Sequence, residues 1–159
     1  MTLDDQSPSW AQATDGIAKN LSDILLLLAR IGIAYLYYIA VSGKLGGTGG
    51  LEAWVANGLT KQGVPGGMAM GYLVIATEIV GSLAILFGLC TRYAALVLTL
   101  FVIIASFVGH RYWEAEAGGP MRNQTTHFYK NASIIGGYLL LFITGAGRYS
   151  LDHLLANKK

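Results

Sequence analysis

The sequence predicts an all-α integral membrane protein, a four-helix bundle, and three observations support this. Of its 159 residues, 53% are hydrophobic and only 13% are charged, about half of the ~25% found in ordinary globular chains. Four segments are apolar over the roughly 17–25 residues that a membrane helix needs. These segments also lack the polar stripe that covers the outer face of a soluble helix. One membrane domain fits this length.

We expect membrane spans at residues 24–44, 68–89, 93–113 and 128–147, within a membrane domain of residues 23–148. Residues 1–22 form a polar N-terminal segment, in which Trp10, Ile17 and Leu21 indicate a further surface helix. Residues 149–159 form a C-terminal tail. In the Gly-rich first connection, four apolar residues recur at helical spacing and predict an interfacial helix: Leu51, Trp54, Val55 and Leu59.

Charge and cysteine content narrow the class of protein. The net charge is +2 without any basic run, so nucleic acid is not an expected partner. A lone Cys90 excludes an internal disulfide and Cys-x-x-Cys motifs. Arg92 in the shortest loop and Lys158 and Lys159 after the last span favour cytoplasmic termini. We therefore expect a multi-pass protein of a bacterial inner membrane, without a cleaved signal peptide.

Each predicted span carries its polar residues on one face. In the first span Arg30, Tyr37 and Lys44 are seven residues apart and share a face. Glu78 lies near the middle of the second span. Charges that face lipid are costly, so we expect the polar faces to converge in one pocket, with Arg30 balancing Glu78 at its floor. Eight residues are candidate ligand-binding residues: Arg30, Tyr37, Lys44, Glu78, His110, His127, Lys130 and Asn131.

Each candidate also has a purely structural interpretation. An Arg30–Glu78 pair can simply hold helices together. Lys44 and Lys130 can extend to the headgroups, and His110 and His127 can form hydrogen bonds at the interface.

Three chemistries can be compared on these residues. A haem needs two axial ligands on facing helices, but both predicted ligands, His110 and His127, lie near the surface. The spacing of Glu78 and the two histidines has no metal-ligand signature. A quinone fits better, because it needs an apolar slot and proton-exchanging donors. We assign proton exchange to Glu78 and binding of the polar head to His110 and Lys130. Glu78 and His110 are thus the candidate catalytic residues. A transporter is less favoured, since no inverted repeat or broken span is evident.

The chain resembles the DoxX family of small four-helix membrane proteins along nearly all its length. The resemblance includes "LLLLARIGIAYLYYIAVSGKL", "LEAWVANGLTKQGVPGG", "TEIVGSLAILFGLCTRYAAL" and "YKNASIIGGYLLLFITGAGRYSLD". Some relatives are linked to thiosulfate:quinone oxidoreductase. The resemblance implies that six of the candidates fall on the family's recurrent polar positions: Arg30, Lys44, Glu78, His110, Lys130 and Asn131.

The leading hypothesis is a quinone-interacting component of a membrane redox system. Because the chain has no cofactor motif, activity would need a partner, such as another membrane or peripheral redox subunit. The alternative is a non-catalytic accessory or structural subunit of a larger membrane complex, in which the polar cluster only holds helices together. The two readings differ in whether a ligand is bound.

Overall fold

The computed structural model describes residues 9–158, and the four-helix bundle predicted from the sequence is confirmed. The long helices are α1 (Ser9–Gly46), α3 (Gly67–Phe87), α4 (Thr91–Gly109) and α5 (Gly119–Thr144). They pack in chain order, α1 on α3, α3 on α4 and α4 on α5. A hydrogen bond between Tyr138 and Tyr37 links α5 back to α1. No strand occurs among the described residues.

Within residues 9–158, three segments are long and apolar enough to cross a membrane: Thr14–Gly46, Gly67–Phe87 and Thr91–Glu114. The predicted fourth span, residues 128–147, lies largely within α5, whose first turns are polar. Many large apolar side chains are exposed on the bundle's outer surface, which is the arrangement that lipid requires. The core between the helices is formed by Tyr37, Ile85, Ala95, Leu98, Val102, Tyr138 and Leu141.

The N-terminal surface helix predicted around residues 10–21 is instead the start of α1, which runs without a break from Ser9. Its 38 residues extend about 57 Å, well beyond the ~30 Å hydrocarbon core. The remainder of the predicted segment, residues 1–8, lies outside the described residues. The side chains of residues 14–20 are all exposed, so this part of α1 projects from the bundle.

The helix predicted in the first connection is present as α2 (Gly50–Trp54) followed by a π-helical turn, Val55–Thr60. This segment folds over one end of the bundle, with Val55 buried. A Cβ at Gly71 of α3 would overlap the Val55 side chain. The missing side chain of Gly71 therefore lets the segment pack closely on α3.

The C-terminal tail forms a short helix, α6 (Leu151–Ala156), that is tied to the opposite end of the bundle. The Asp152 carboxylate accepts hydrogen bonds from the backbone N–H groups of Cys90 (2.7 Å) and Thr91 (2.9 Å). These are first N–H groups of α4, which have no partner within the helix. The Asp152 N–H donates to the Gly88 carbonyl at 2.8 Å. We call this set of contacts the C-terminal latch.

The latch depends on Gly88, which ends α3 in the left-handed region at φ 65°. An alanine there is expected to lower the free energy of unfolding by about 2–4 kcal/mol, through left-handed strain and overpacking. Its Cβ would lie 2.5 Å from Arg30 Nη1 and overlap the Ser150 side chain. Thermal unfolding in detergent measures this loss of stability. Gly136→Ala, where the Cβ meets nothing within 4 Å, is the control and should change stability by less than about 1 kcal/mol.

The latch should also depend on pH. Burial raises the pKa of Asp152, but the hydrogen bonds from Thr91 and Cys90 and the nearby Arg30 outweigh it and lower the pKa overall. Because the pKa is lower in the folded state, the stabilisation is present above the unfolded value of about 3.9. It is lost as the pH falls through the folded-state pKa.

We therefore expect the difference in Tm between the wild type and Asp152→Asn to shrink as the pH falls below about 4. Differential scanning fluorimetry in one detergent over that range measures it. A difference that stays constant would show that the charge on Asp152 does not stabilise the latch.

Candidate functional site

An ion pair joins α1 to α3 inside the bundle. Lys44 Nζ lies 2.7 Å from Glu78 Oε2 and 2.8 Å from Oε1, and these side chains are only 14% and 7% exposed. The Trp54 ring of α2 lies 5.3 Å from the same ammonium. Such a cation–π contact adds to the stabilisation of a desolvated lysine. Glu78 thus has its partner one helix away, under the folded first connection.

The expected Arg30–Glu78 pair is wrong. Arg30 is fully buried at the opposite end of the bundle, where its guanidinium donates hydrogen bonds to the carbonyls of Leu86 (3.1 Å) and Tyr149. Arg30 and Lys44 are 14 residues apart on α1, which separates them by about 21 Å. Leu86, at the level of Arg30, lies eight residues or about 12 Å from Glu78. Glu78 is therefore well separated from the level of Arg30, and its carboxylate is bound by the side chain of Lys44 instead.

Two tyrosines form the next polar contact along the bundle. The Tyr138 hydroxyl of α5 donates to the Tyr37 hydroxyl of α1 at 2.8 Å, and both side chains are buried. Two hydroxyls contain two hydrogens, and one hydrogen bond between them uses only one. One O–H hydrogen of the pair therefore remains available to a further acceptor.

Tyr37 also forms part of the wall of a groove between α1 and α3. The groove has a volume of about 490 Å³ and opens towards the lipid-facing surface. Its lining is mostly apolar, including Ile31, Ile79 and Leu83. Ser82 lines it as well, and its hydroxyl donates to the Ile79 carbonyl at 3.0 Å. Glu78 lies one helical turn from Ser82, so the ion pair is close to the groove.

Asn131 lies deeper in the bundle, between α4 and α5. Its side-chain amide donates to the Ser106 hydroxyl at 3.0 Å, and Ser106 in turn donates to the Val102 carbonyl at 2.7 Å. Both polar side chains are buried. This contact satisfies polar groups between the two helices, as interhelical hydrogen bonds commonly do.

The histidines and Lys130 form a separate cluster. α4 ends at Gly109, so His110 follows the regular helix directly and lies within the membrane-capable segment Thr91–Glu114, as expected. Its Nδ1 bonds to the Gln124 side chain at 2.9 Å, and its ring stacks on His127 with centroids 5.0 Å apart. Lys130 Nζ lies 3.1 Å from His127 Nδ1.

The eight predicted residues therefore do not share one pocket. Gln124, which holds His110, is 14 residues from Tyr138 on α5, a separation of about 21 Å. Tyr37 lines the groove near the Lys44–Glu78 pair, whereas Arg30 lies at the end of the bundle that carries the C-terminal latch. Within the described part of the chain, no group of three His, Cys, Asp or Glu residues is arranged to hold a metal.

Tyr138, Trp54 and Asp152 take part in these contacts but were not among the eight candidates. Tyr138 follows Asn131 by seven residues and shares its face, so the spacing contained a signal for it. Trp54 and Asp152 reach their partners only because the chain folds back over each end of the bundle. No sequence pattern indicates those long-range contacts.

The chain is similar to several known proteins. Residues 25–111 match the DoxX family. Inner membrane protein YqjF of Escherichia coli K12 is 41% identical over 141 residues, covering 89% of this chain and 98% of the relative. Inner membrane protein YphA of the same organism is 33% identical over 131 residues, covering 81% and 89%. A Surfeit locus protein 4 homolog of Schizosaccharomyces pombe is 30% identical over 81 residues, 50% of this chain and 27% of the relative. No solved structure matches.

The ion pair makes a prediction about stability. Lys44→Met and Glu78→Gln should each lower the free energy of unfolding by about 3–5 kcal/mol, because each leaves an unpaired charge in the bundle. The double variant Lys44→Met/Glu78→Leu should recover most of that loss, since an apolar pair of similar volume is often neutral. Thermal unfolding in detergent compares the three variants.

Arg148→Met is the control, because it removes an ion pair with Asp23 (4.0 Å) in which the arginine side chain is 76% exposed, of the kind worth about 0–1 kcal/mol. A double variant as unstable as the sum of the single variants would contradict the prediction.

Proposed function

Because this chain belongs to the DoxX family of inner membrane proteins, we propose that it is a quinone-binding component of a membrane redox system. One observation carries the proposal. The apolar, lipid-open groove is lined by Tyr37, which is hydrogen-bonded to the buried Tyr138, and this tyrosine pair has one O–H hydrogen left to donate. A quinone carbonyl accepts such a hydrogen bond, and its hydrocarbon tail matches the apolar lining.

The residues that line the groove have the chemical character that a quinone site needs. Tyr37 would orient a ring carbonyl, while Tyr138 behind it holds the Tyr37 hydroxyl in position. Ile79 and Leu83 would contact the ring faces and exclude water. Their contribution is shape and burial, as in most small-molecule sites. When bound, a quinone supplies two-electron chemistry that is coupled to two protons.

Glu78 is the residue to which we assign proton exchange. Its carboxylate lies one helical turn from the groove lining and is held by the Lys44 ammonium. A carboxylate so placed can take a proton at Oε1 or Oε2 and release it, while Lys44 keeps the neighbouring positive charge. His110 and Lys130, which we expected to hold the polar head, receive no role because their cluster is separate from the groove.

Electrons would come from another subunit. No side-chain set in the described residues forms a metal centre, and Cys90 is the chain's single cysteine. A redox partner carrying its own cofactor is therefore part of the proposal. The proposed partner is an electron-carrying protein that binds to the surface of the same membrane or lies within it.

A second candidate function is that of a non-catalytic accessory subunit. The observation that favours it is that these polar side chains are paired between helices, Lys44 with Glu78 and Asn131 with Ser106. Side chains satisfied in this way serve equally well as fasteners between helices. The two functions differ in whether the groove holds a ligand.

Quinone binding is tested by native mass spectrometry of the protein extracted gently from its own membrane. We expect a bound quinone at fixed stoichiometry. In lipid nanodiscs with decylubiquinone as the probe, Tyr37→Phe should weaken binding about 3- to 10-fold, the value of one hydrogen bond. Tyr72→Phe is the matched control, because Tyr72 is exposed and lies outside the groove.

A chain that is always ligand-free and always isolated with the same large partner would favour the accessory subunit. If the wild type and Tyr37→Phe bind decylubiquinone with equal affinity, the Tyr37 hydroxyl does not donate a hydrogen bond to the quinone. Glu78→Gln with unchanged quinone binding and unchanged quinone turnover in membranes would exclude its proton role.

A further inference from the structure

We propose that the cluster of His110, His127 and Lys130 binds a phosphate group, and that this group belongs to the headgroup of an anionic lipid. The three side chains contact one another where the end of α4 meets α5. Nothing in the proposed quinone function uses them. The inference is therefore independent of any ligand in the groove.

The hydrogen-bond partners of the cluster determine which ring nitrogens carry a hydrogen. The Lys130 ammonium can only donate, so at 3.1 Å it donates to His127 Nδ1. The hydrogen of a neutral His127 ring therefore lies on Nε2. His110 Nδ1 in turn donates to the side-chain oxygen of Gln124 at 2.9 Å. Neither Nε2 atom has a partner among the described residues and neither is buried, so both are accessible to a ligand.

The cluster combines hydrogen-bond donors and positive charge without a carboxylate to balance them. Lys130 uses one N–H on His127 and keeps its other N–H groups for a ligand. Neither histidine nor Lys130 forms an ion pair in the part of the chain that the structure describes. Glu114, the acidic residue nearest to His110 in the sequence, is paired with Arg111 at 3.4 Å. The ligand that matches these donors is an anion with several acceptor oxygens, such as a phosphate group.

A metal ion fits the same side chains poorly. An imidazole that binds a metal presents a lone pair, whereas the accessible Nε2 of His127 carries a hydrogen. The Lys130 ammonium beside that ring also repels a cation. Both the hydrogen positions and the charge of the cluster therefore favour an anion.

The surroundings of the cluster are those of the headgroup level of a membrane. His110 lies four residues before the end of the apolar segment Thr91–Glu114. Next to the cluster, the Phe128 ring packs on Phe107 and on Trp113, with centroids 5.5 Å and 6.0 Å apart. Phe107 and Trp113 are 56% and 47% exposed. Tryptophan is enriched at the boundary between headgroups and hydrocarbon, so apolar surface for a lipid chain adjoins the cationic donors.

The absence of a carboxylate from the cluster also favours one class of lipid. A phosphocholine headgroup carries a cation next to its phosphate, and that cation would lie near Lys130 without an acidic partner. Phosphatidylglycerol has the same phosphodiester without the cation. We therefore expect the site to prefer phosphatidylglycerol to phosphatidylcholine.

The test is native mass spectrometry of the whole chain, released from nanodiscs that contain equal amounts of these two lipids with identical acyl chains. The wild type should retain phosphatidylglycerol about fivefold or more over phosphatidylcholine. Lys130→Gln and His127→Phe should each reduce this preference about 3- to 10-fold, because each removes a donor to the phosphate. Lys61→Gln is the matched control, since it makes the same change of charge at an exposed lysine of the first connection.

Equal retention of the two lipids by the wild type, or equal losses for Lys130→Gln and Lys61→Gln, would overturn the proposal. Titration of the chain in detergent with inorganic phosphate examines the other source of the same chemical group. If inorganic phosphate binds to the wild type and no lipid is preferred, the headgroup assignment is wrong.

A second measurement uses the unaltered chain, so that no substitution can disturb its folding. With ¹⁵N-labelled histidine rings, replacing phosphatidylcholine nanodiscs by phosphatidylglycerol nanodiscs should shift the Nε2–H resonance of His127. His153, which bonds to Asn157 at 2.9 Å in the C-terminal helix, is the internal control for the change in surface charge. Equal shifts at His127 and His153, or none, would contradict a phosphate site at His127.

Discussion

The Lys44–Glu78 ion pair is the interaction on which the bundle's arrangement depends. A charge inside a membrane helix is tolerated only with a partner at the same depth. Pairing these two side chains therefore sets the register of α1 against α3. The first connection then folds back over that end, where Trp54 contacts the lysine. Because Trp54 contacts Lys44, the packing of the first connection and the stability of the ion pair depend on each other.

The same constraint extends along the bundle as a ladder of paired polar groups. Tyr37 and Lys44 on α1 are seven residues apart, and so are Tyr138 and Asn131 on the antiparallel α5. At each level the polar group finds a partner on a neighbouring helix. The tyrosine level differs from the others in one respect, because it retains a hydrogen-bond donor beside a groove. For that reason the proposed ligand site lies at this level of the ladder.

The two ends of the bundle carry different sets of contacts. At one end Arg30, Gly88 and Asp152 fasten the C-terminal helix across the short α3–α4 turn, which is a structural role. At the other end the His110–His127 stack and Lys130 form a cluster apart from the groove. Three clusters thus replace the single pocket expected from the sequence. Only the middle cluster combines an apolar groove with polar groups, so the proposed chemistry is confined to it.

The sequence by itself determined the helical class, the apolar segments, the family and the polar faces, because these follow from composition and from the 3.6-residue helical period. The period places Arg30 and Lys44 on one face but cannot decide which of them meets Glu78. That choice depends on how far α3 is shifted along α1, a property of packing between helices. Trp54 and Asp152 likewise met their partners only through tertiary structure, because chain reversals at the two ends of the bundle bring distant residues together.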